Sequence, residues 1–143
     1  MRSDIRSLAA VTAVAFVVTL AAGLAAQAPK TTKDGIFTAE QVTRGQPVYV
    51  AACASCHGDD LLGGGFAPAL TSDTFLAAWT GQKLDGLYSR IKETMPADKP
   101  GSLSDQANAD LLAYILKING FAPGTQPLPF DAAALALITI TKP

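Results

Sequence analysis

The chain has 143 residues, with 11 basic and 12 acidic side chains, a formal charge of −1 and a 49% hydrophobic content. That balance excludes the basic footprint of a nucleic-acid binder and the polybasic patch of a peripheral membrane protein. The length leaves room for one modest domain once an N-terminal targeting segment is set aside, and that segment holds much of the apolar content.

The targeting segment opens with Arg2 and Arg6, continues as an uncharged run from Ser7 to Ala28, and ends on the small-residue pattern Ala26-Gln27-Ala28. This is the pattern of an export leader over residues 1–28. Cleavage is expected after Ala26, because Pro29 disfavours the bond after Ala28. The apolar run also approaches bilayer-spanning length, so the alternative is an uncleaved anchor. Either way the rest of the chain is expected outside the cytoplasmic membrane, periplasmic or secreted. Residues 29–37 are polar, carry a Pro and a Gly, and have no period, which reads as a linker.

Thr38 followed three places later by Gln41 forms a capping box, and Val42, Val48, Tyr49 and Ala52 give a partly apolar helix up to Cys53. Pro47 removes a backbone donor inside this helix and predicts a distortion between Thr43 and Val48. A loop over Gly58–Ala67 follows, with three successive glycines from Gly63. Two short helices are predicted over Thr74–Trp79 and Leu84–Thr94. The second aligns Leu87, Ile91 and Met95 on one face, and Pro96 stops it. After a turn-rich loop, Ser104 caps a helix over Asp105–Asn119 that buries Leu111, Tyr114, Ile115 and Ile118 and stops at Gly120. The tail over 121–143 holds four prolines and a short apolar stretch, Ala132–Ile140, read as one helical turn and an extended segment. No repeat and no convincing sheet is visible, so the fold class is all-α.

Both cysteines and the single histidine of the chain fall within Cys53-Ala54-Ser55-Cys56-His57. A zinc site would need four ligands and would have to recruit Asp59 or Asp60. A thioredoxin-like dithiol expects a preceding strand, whereas this motif follows a helix. Covalent attachment of haem c is the third reading and the favoured one. Two thiols three positions apart reach the two vinyl groups on one edge of the macrocycle, and the next residue places an imidazole below the iron. Attachment outside the cytoplasmic membrane agrees with the leader. With one histidine, bis-histidine ligation within the chain is impossible. Met95 is the one methionine beyond Met1, and it ends an apolar stripe in a loop. It is therefore read as the second axial ligand rather than a core gap-filler. Asp59 and Asp60 are read as surface loop residues.

On these residues, together with Gly45 and Tyr49 before the motif, Ala67-Pro68-Ala69-Leu70, Thr94-Met95-Pro96 and Leu111–Ile118, the chain resembles the class I cytochrome c family over roughly residues 38–120. The resemblance implies an all-α class I cytochrome c fold, in which the N- and C-terminal helices cross and short helices and loops wrap one covalent haem. Gly45, Tyr49 and Tyr114 resemble the helix crossing of that family, and Pro68 is placed like the proline whose carbonyl orients the ligating imidazole. Leu70, Leu87 and Ile91 complete the apolar set expected around the cofactor. Trp79 is open to two readings, a donor to a haem propionate or a core residue. Lys83, Arg90, Lys92 and Lys99 are interleaved with Asp85, Glu93 and Asp98, which favours a solvated mixed face over a docking patch. The residues after the first tail position, 121–143, are expected as an extension packed on the domain.

A narrower resemblance, around Phe75–Pro100, is to the small cytochromes and fused cytochrome domains of quinoprotein alcohol dehydrogenases. It implies redox partner proteins, with a quinoprotein dehydrogenase as donor and a terminal oxidase as acceptor. The expected function is electron transfer by cycling between Fe(III) and Fe(II), with no catalysis by the chain itself. Two rivals stand beside it: a five-coordinate haem that binds gas or peroxide, and a fixed redox subunit of a larger dehydrogenase.

Overall fold

The computed structural model describes residues 29–65 and 67–143, so the leader expected over residues 1–28 lies outside the described residues. The elements in chain order are β1 (Lys30–Thr31), α1 (Ala39–Ala52), α2 (Ala54–His57), α3 (Ser72–Trp79), α4 (Leu84–Thr94), α5 (Asp105–Ile118), α6 (Ala132–Leu135) and β2 (Ile138–Thr139). Among the described residues the fold is mostly helical, with one two-residue parallel pairing of β1 on β2.

Helix α1 starts where its capping box predicts. The Thr38 hydroxyl accepts from Gln41 N, and the Gln41 side chain accepts from Thr38 N, both at 3.3 Å. Gln41 is itself buried, and its amide brackets Leu128, accepting from Leu128 N at 2.6 Å and donating to Leu128 O at 3.1 Å. One side chain thus caps a helix and fastens the tail. The helix does not restart at Pro47: α1 runs unbroken from Ala39 to Ala52. Pro47 and Thr43 both lie on the exposed face, so the Thr43 carbonyl that loses its partner is on the side open to water, and packing of the opposite face keeps the helix continuous.

That opposite face crosses α5. A Cβ at Gly45 would overlap the backbone carbonyl of Asp110, so the two helices approach closer than any side chain permits. One turn on, Tyr49 and Tyr114 pack with ring centroids 5.5 Å apart. On the other side of the crossing, Arg44 donates from Nε and Nη2 to the two oxygens of Asp110, both at 2.8 Å, and Gln106 Nε2 donates to Asp110 Oδ1 at 2.9 Å. The bond to Asp110 raises the Arg44 pKa. This bidentate pair fixes the register of the crossing, although Arg44 is half exposed and its net stabilisation is modest.

Ser104 caps α5 by accepting from Ala107 N at 3.2 Å, and Gly120 at φ +91° turns the chain out of it. Ile118, expected in the core, is 43% exposed. Helix α5 is covered on two sides, so its buried arc is broad and centred on Leu111, Leu112, Ile115 and Leu116, and Ile118 falls beyond its edge.

Residues 29–37, expected as a linker, are packed. Ile36 and Phe37 are buried, and Phe37 O accepts from Gly124 N at 2.7 Å. Gly35 makes this possible, since it sits at φ +60° and a Cβ there would come within 2.9 Å of Gly124 Cα. The absence of sheet is likewise corrected by the β1–β2 pair. The tail folds back over α4: Leu128, Leu135, Ile138 and Ile140 are buried, Gly81 N donates to Ile140 O at 2.8 Å, and Ile140 N donates to Gln82 O at 2.9 Å.

Replacing Gly45 with Ala forces α1 and α5 apart and should lower unfolding stability by about 3 kcal/mol, an overpacking cost read from the denaturant midpoint of the holoprotein. A second test concerns Tyr49, which is buried and donates to Gly58 O at 2.5 Å. Burial, with smaller contributions from neighbouring ionisable groups, pushes its phenol from 10.0 up to about 12. Between those two values the unfolded chain has lost a proton that the folded chain keeps, so stability falls as pH rises across the window. Tyr49→Phe should cost about 1 kcal/mol at neutral pH through the lost hydrogen bond. It should also flatten the alkaline fall, measured as urea midpoints against pH.

Candidate haem site

The end of α1 delivers the reactive residues. Cys53 N donates to Tyr49 O at 2.8 Å as the last bond of that helix, and a tight turn then carries Cys56 N and His57 N onto the Cys53 carbonyl at 3.1 and 2.9 Å. The turn sets two thiols three residues apart with an imidazole immediately after them. Both cysteines are free, Cys53 buried and Cys56 exposed. Burial pushes the Cys53 thiol up to about 11, with Cys56 adding to the shift.

Beyond His57, Gly58 at φ +80° reverses the chain, and Gly63 N returns to donate to His57 O at 2.8 Å. At Gly63 a Cβ would meet Ala67 O at 2.7 Å, Ala69 N at 2.8 Å and Pro68 C at 2.9 Å, so the loop closes flat against the segment that follows it. Asp60 Oδ1 accepts from Leu62 N at 3.0 Å within this loop, and Asp59 and Asp60 are both exposed. The closure places the Pro68 carbonyl 2.8 Å from His57 Nδ1. A carbonyl only accepts, so Nδ1 carries the proton and Nε2 keeps its lone pair. The imidazole is thereby fixed in the tautomer that ligates through Nε2.

Above this floor lies a cleft of about 1490 Å³, larger than the roughly 300–1,000 Å³ of ordinary small-molecule pockets. Cys53, Cys56 and His57 line it together with Pro68 and Leu70 of the returning segment. Trp79 enters from α3, Leu87 and Ile91 from α4, and Met95 from the end of α4. All nine residues singled out in the sequence thus reach one cleft. Met95 is half-buried, caps α4, and donates its backbone N–H to Ile91 O at 3.0 Å. Phe75, Leu111 and Ile115 also line the cleft and were not foreseen as site residues. Their signal was present as four-residue spacings, Phe75 to Trp79 and Leu111 to Ile115, but such spacings mark any buried helix face.

The donor set and the cavity fit a covalent haem: paired thiols on one edge, an imidazole with a free Nε2, a thioether in the same lining, and largely apolar walls. Two of the four cationic residues have polar partners and the other two line the cleft. Lys92 Nζ pairs with Asp105 Oδ1 at 2.6 Å, Lys83 Nζ donates to Thr139 Oγ1 at 2.9 Å, and Arg90 and Lys99 line the cleft beside Asp98. Among the described residues no helix is long and apolar enough to cross a membrane.

Comparison with known proteins agrees with this arrangement. Residues 40–115, just over half of the chain, match the family described as cytochrome c oxidase, cbb3-type, subunit III. The chain is 36% identical over 80 residues to a thiosulfate dehydrogenase of Stutzerimonas stutzeri (strain A1501), a match that covers 52% of this chain and 26% of that protein. It thus spans about a quarter of the length of this curated relative. Among solved structures, the sulfane dehydrogenase SoxCD from Paracoccus pantotrophus superposes with a TM-score of 0.53 at 20% identity, covering 68% of this chain and 52% of that one. This likeness shows the fold. The chain belongs to the cbb3-type subunit III family of cytochrome c domains, and it is a mono-haem class I c-type cytochrome that transfers electrons through a covalently bound haem c.

Proposed function

We propose that this cytochrome is an exported single-electron carrier with His57 and Met95 as its axial ligands. The observation that carries the reading is the content of the cleft. Its lining brings together the two thiols, an imidazole whose Nδ1 is committed to Pro68 O, and the one thioether of the described residues.

The haem iron would supply the redox couple, Fe(III) to Fe(II). Cys53 and Cys56 would hold the macrocycle by thioether bonds, and His57 would ligate through Nε2. The Pro68 carbonyl keeps the imidazole oriented and raises its basicity. Leu70, Leu87 and Ile91 exclude water, which disfavours the extra positive charge of the ferric form, and a Met ligand raises the potential relative to a second nitrogen. Trp79 lines the same cleft, where its indole N–H could serve as a donor to a haem propionate or its ring could simply pack in the wall. In this reading the chain carries electrons and performs no catalysis of its own, and its cleft residues serve to hold the redox centre.

The donor would be an exported dehydrogenase. Resemblance to quinoprotein-associated cytochromes favours a quinoprotein, while the names of the relatives point to dehydrogenases of inorganic sulfur compounds. A terminal oxidase would be the acceptor. This chain spans about a quarter of the thiosulfate dehydrogenase and about half of the SoxCD chain, which supports a second reading, a cytochrome held in fixed association with its dehydrogenase.

The oxidised holoprotein should show a far-red band from sulfur-to-iron charge transfer, and Met95→Ala should abolish it. Rapid carbon monoxide binding by the wild-type ferrous protein would instead mean an open iron position and would overturn Met95 ligation. For the partner, purified quinoprotein and thiosulfate dehydrogenases should be compared as reductants of the ferric protein. Reduction by neither would remove both donors, and a stoichiometric complex with one would favour the fixed subunit.

A further inference from the structure

Asn119 follows the last residue of α5 and is 6% exposed. Its Nδ2 donates to two carbonyls, Ile115 O on its own helix and Leu70 O on the segment under the haem cleft, both at 2.9 Å. Its Oδ1 is buried and has no partner. A leucine at this position would have nearly the same shape and no unsatisfied oxygen, so the two N–H donors are what the amide contributes.

Leu70 ends the segment whose Pro68 carbonyl meets His57 Nδ1. Most of the bonds that hold this segment are internal to its own loop: Gly64 and Ala67 exchange bonds at 3.1 and 2.8 Å, and Leu70 N donates to Leu61 O at 2.8 Å. Gly63 N to His57 O ties the start of the loop to α2. The bond from Asn119 ties its end to α5, and α5 is locked to α1 at Gly45 and Asp110.

We propose that Asn119 is a positioning residue for His57, acting through the Leu70 carbonyl to hold Pro68 O against Nδ1. The inference rests on His57 being the iron ligand. Releasing Leu70 O lets the segment drift and weakens the bond from Nδ1–H to Pro68 O. A weaker bond makes the imidazole less electron-rich, stabilises Fe(III) less, and raises the midpoint potential.

The test uses full-length holoprotein labelled with 15N-histidine. His57 is the only histidine, so the ferrous spectrum gives one ring Nδ1–H, whose exchange with deuterium is timed. Asn119→Leu should speed this exchange by about tenfold, the factor that loss of one hydrogen bond carries, and should shift the midpoint potential upward. Asn119→Ser keeps one short donor and should fall between. If the Leu variant does not assemble, the Ser variant alone decides, and wild-type exchange and potential in it would overturn the proposal. Unchanged exchange and potential with a lowered unfolding midpoint would make Asn119 a helix cap only. Gln41→Leu removes another buried amide, the one that fastens the tail at Leu128, and should lower stability while leaving the His57 signal alone. An equal effect from Gln41→Leu would mean general loosening and would also overturn the proposal. His57 ring signals in the ferrous wild type without the large ring-current shifts of a haem ligand would sink His57 ligation itself, a failure separable from that of Asn119.

Discussion

Where α1 meets α5, the absence of a side chain at Gly45 allows backbone to rest on backbone, with the Asp110 carbonyl in the space a Cβ would need. The rest of the molecule takes its geometry from that contact. Helix α1 leaves the crossing and ends at Cys53, so the angle of the crossing decides where the first thiol enters the cleft. Helix α5 leaves it in the same sense, contributes Leu111 and Ile115 to the cleft, and ends at Asn119 beside Leu70. A close-packed junction of this kind deforms little, which suits a protein whose redox centre should change shape as little as possible between oxidation states.

Two different physical regimes meet in the cleft. The floor, from Cys53 to Leu70, is built of backbone hydrogen bonds and of Gly63, where a side chain has no room, and it controls the orientation of one imidazole. The roof, from Trp79 to Met95, is built of helices α3 and α4 and held by apolar packing and by the tail, which bonds to Gly81 and Gln82 at the corner between those helices. Packing of this kind is adjustable by single substitutions in a way the floor is not.

The features legible in the sequence were those whose cause lies within a few residues. The Thr38–Gln41 capping box, the Ser104 cap, the stop at Gly120 and the grouping of two thiols with an imidazole are all local patterns, and the structure places each where its pattern implies. What was illegible depends on partners far along the chain. Residues 29–37 have no period because they pack irregularly against Gly124 and the tail, so their polarity read as linker while Ile36 and Phe37 were core. Pro47 read as a helix breaker because the sequence does not say which face is wet. Ile118 fit the stripe of Leu111 and Tyr114 but not the broader burial that coverage on two sides imposes. Asn119 read as the end of a helix, and its second role depends on a carbonyl 49 residues away.

The parallel pairing of Lys30 with Ile138 and Thr31 with Thr139 has a mechanical consequence. The chain enters and leaves the domain side by side, so the path through the fold is nearly a closed ring. A membrane anchor joined before residue 30 or a neighbouring domain joined after residue 139 would hang the cytochrome from the same point. Swapping the end that bears the tether would preserve the orientation of the haem edge, and pulling the two ends apart would load the short β-ladder in shear before the force reached the helices around the haem.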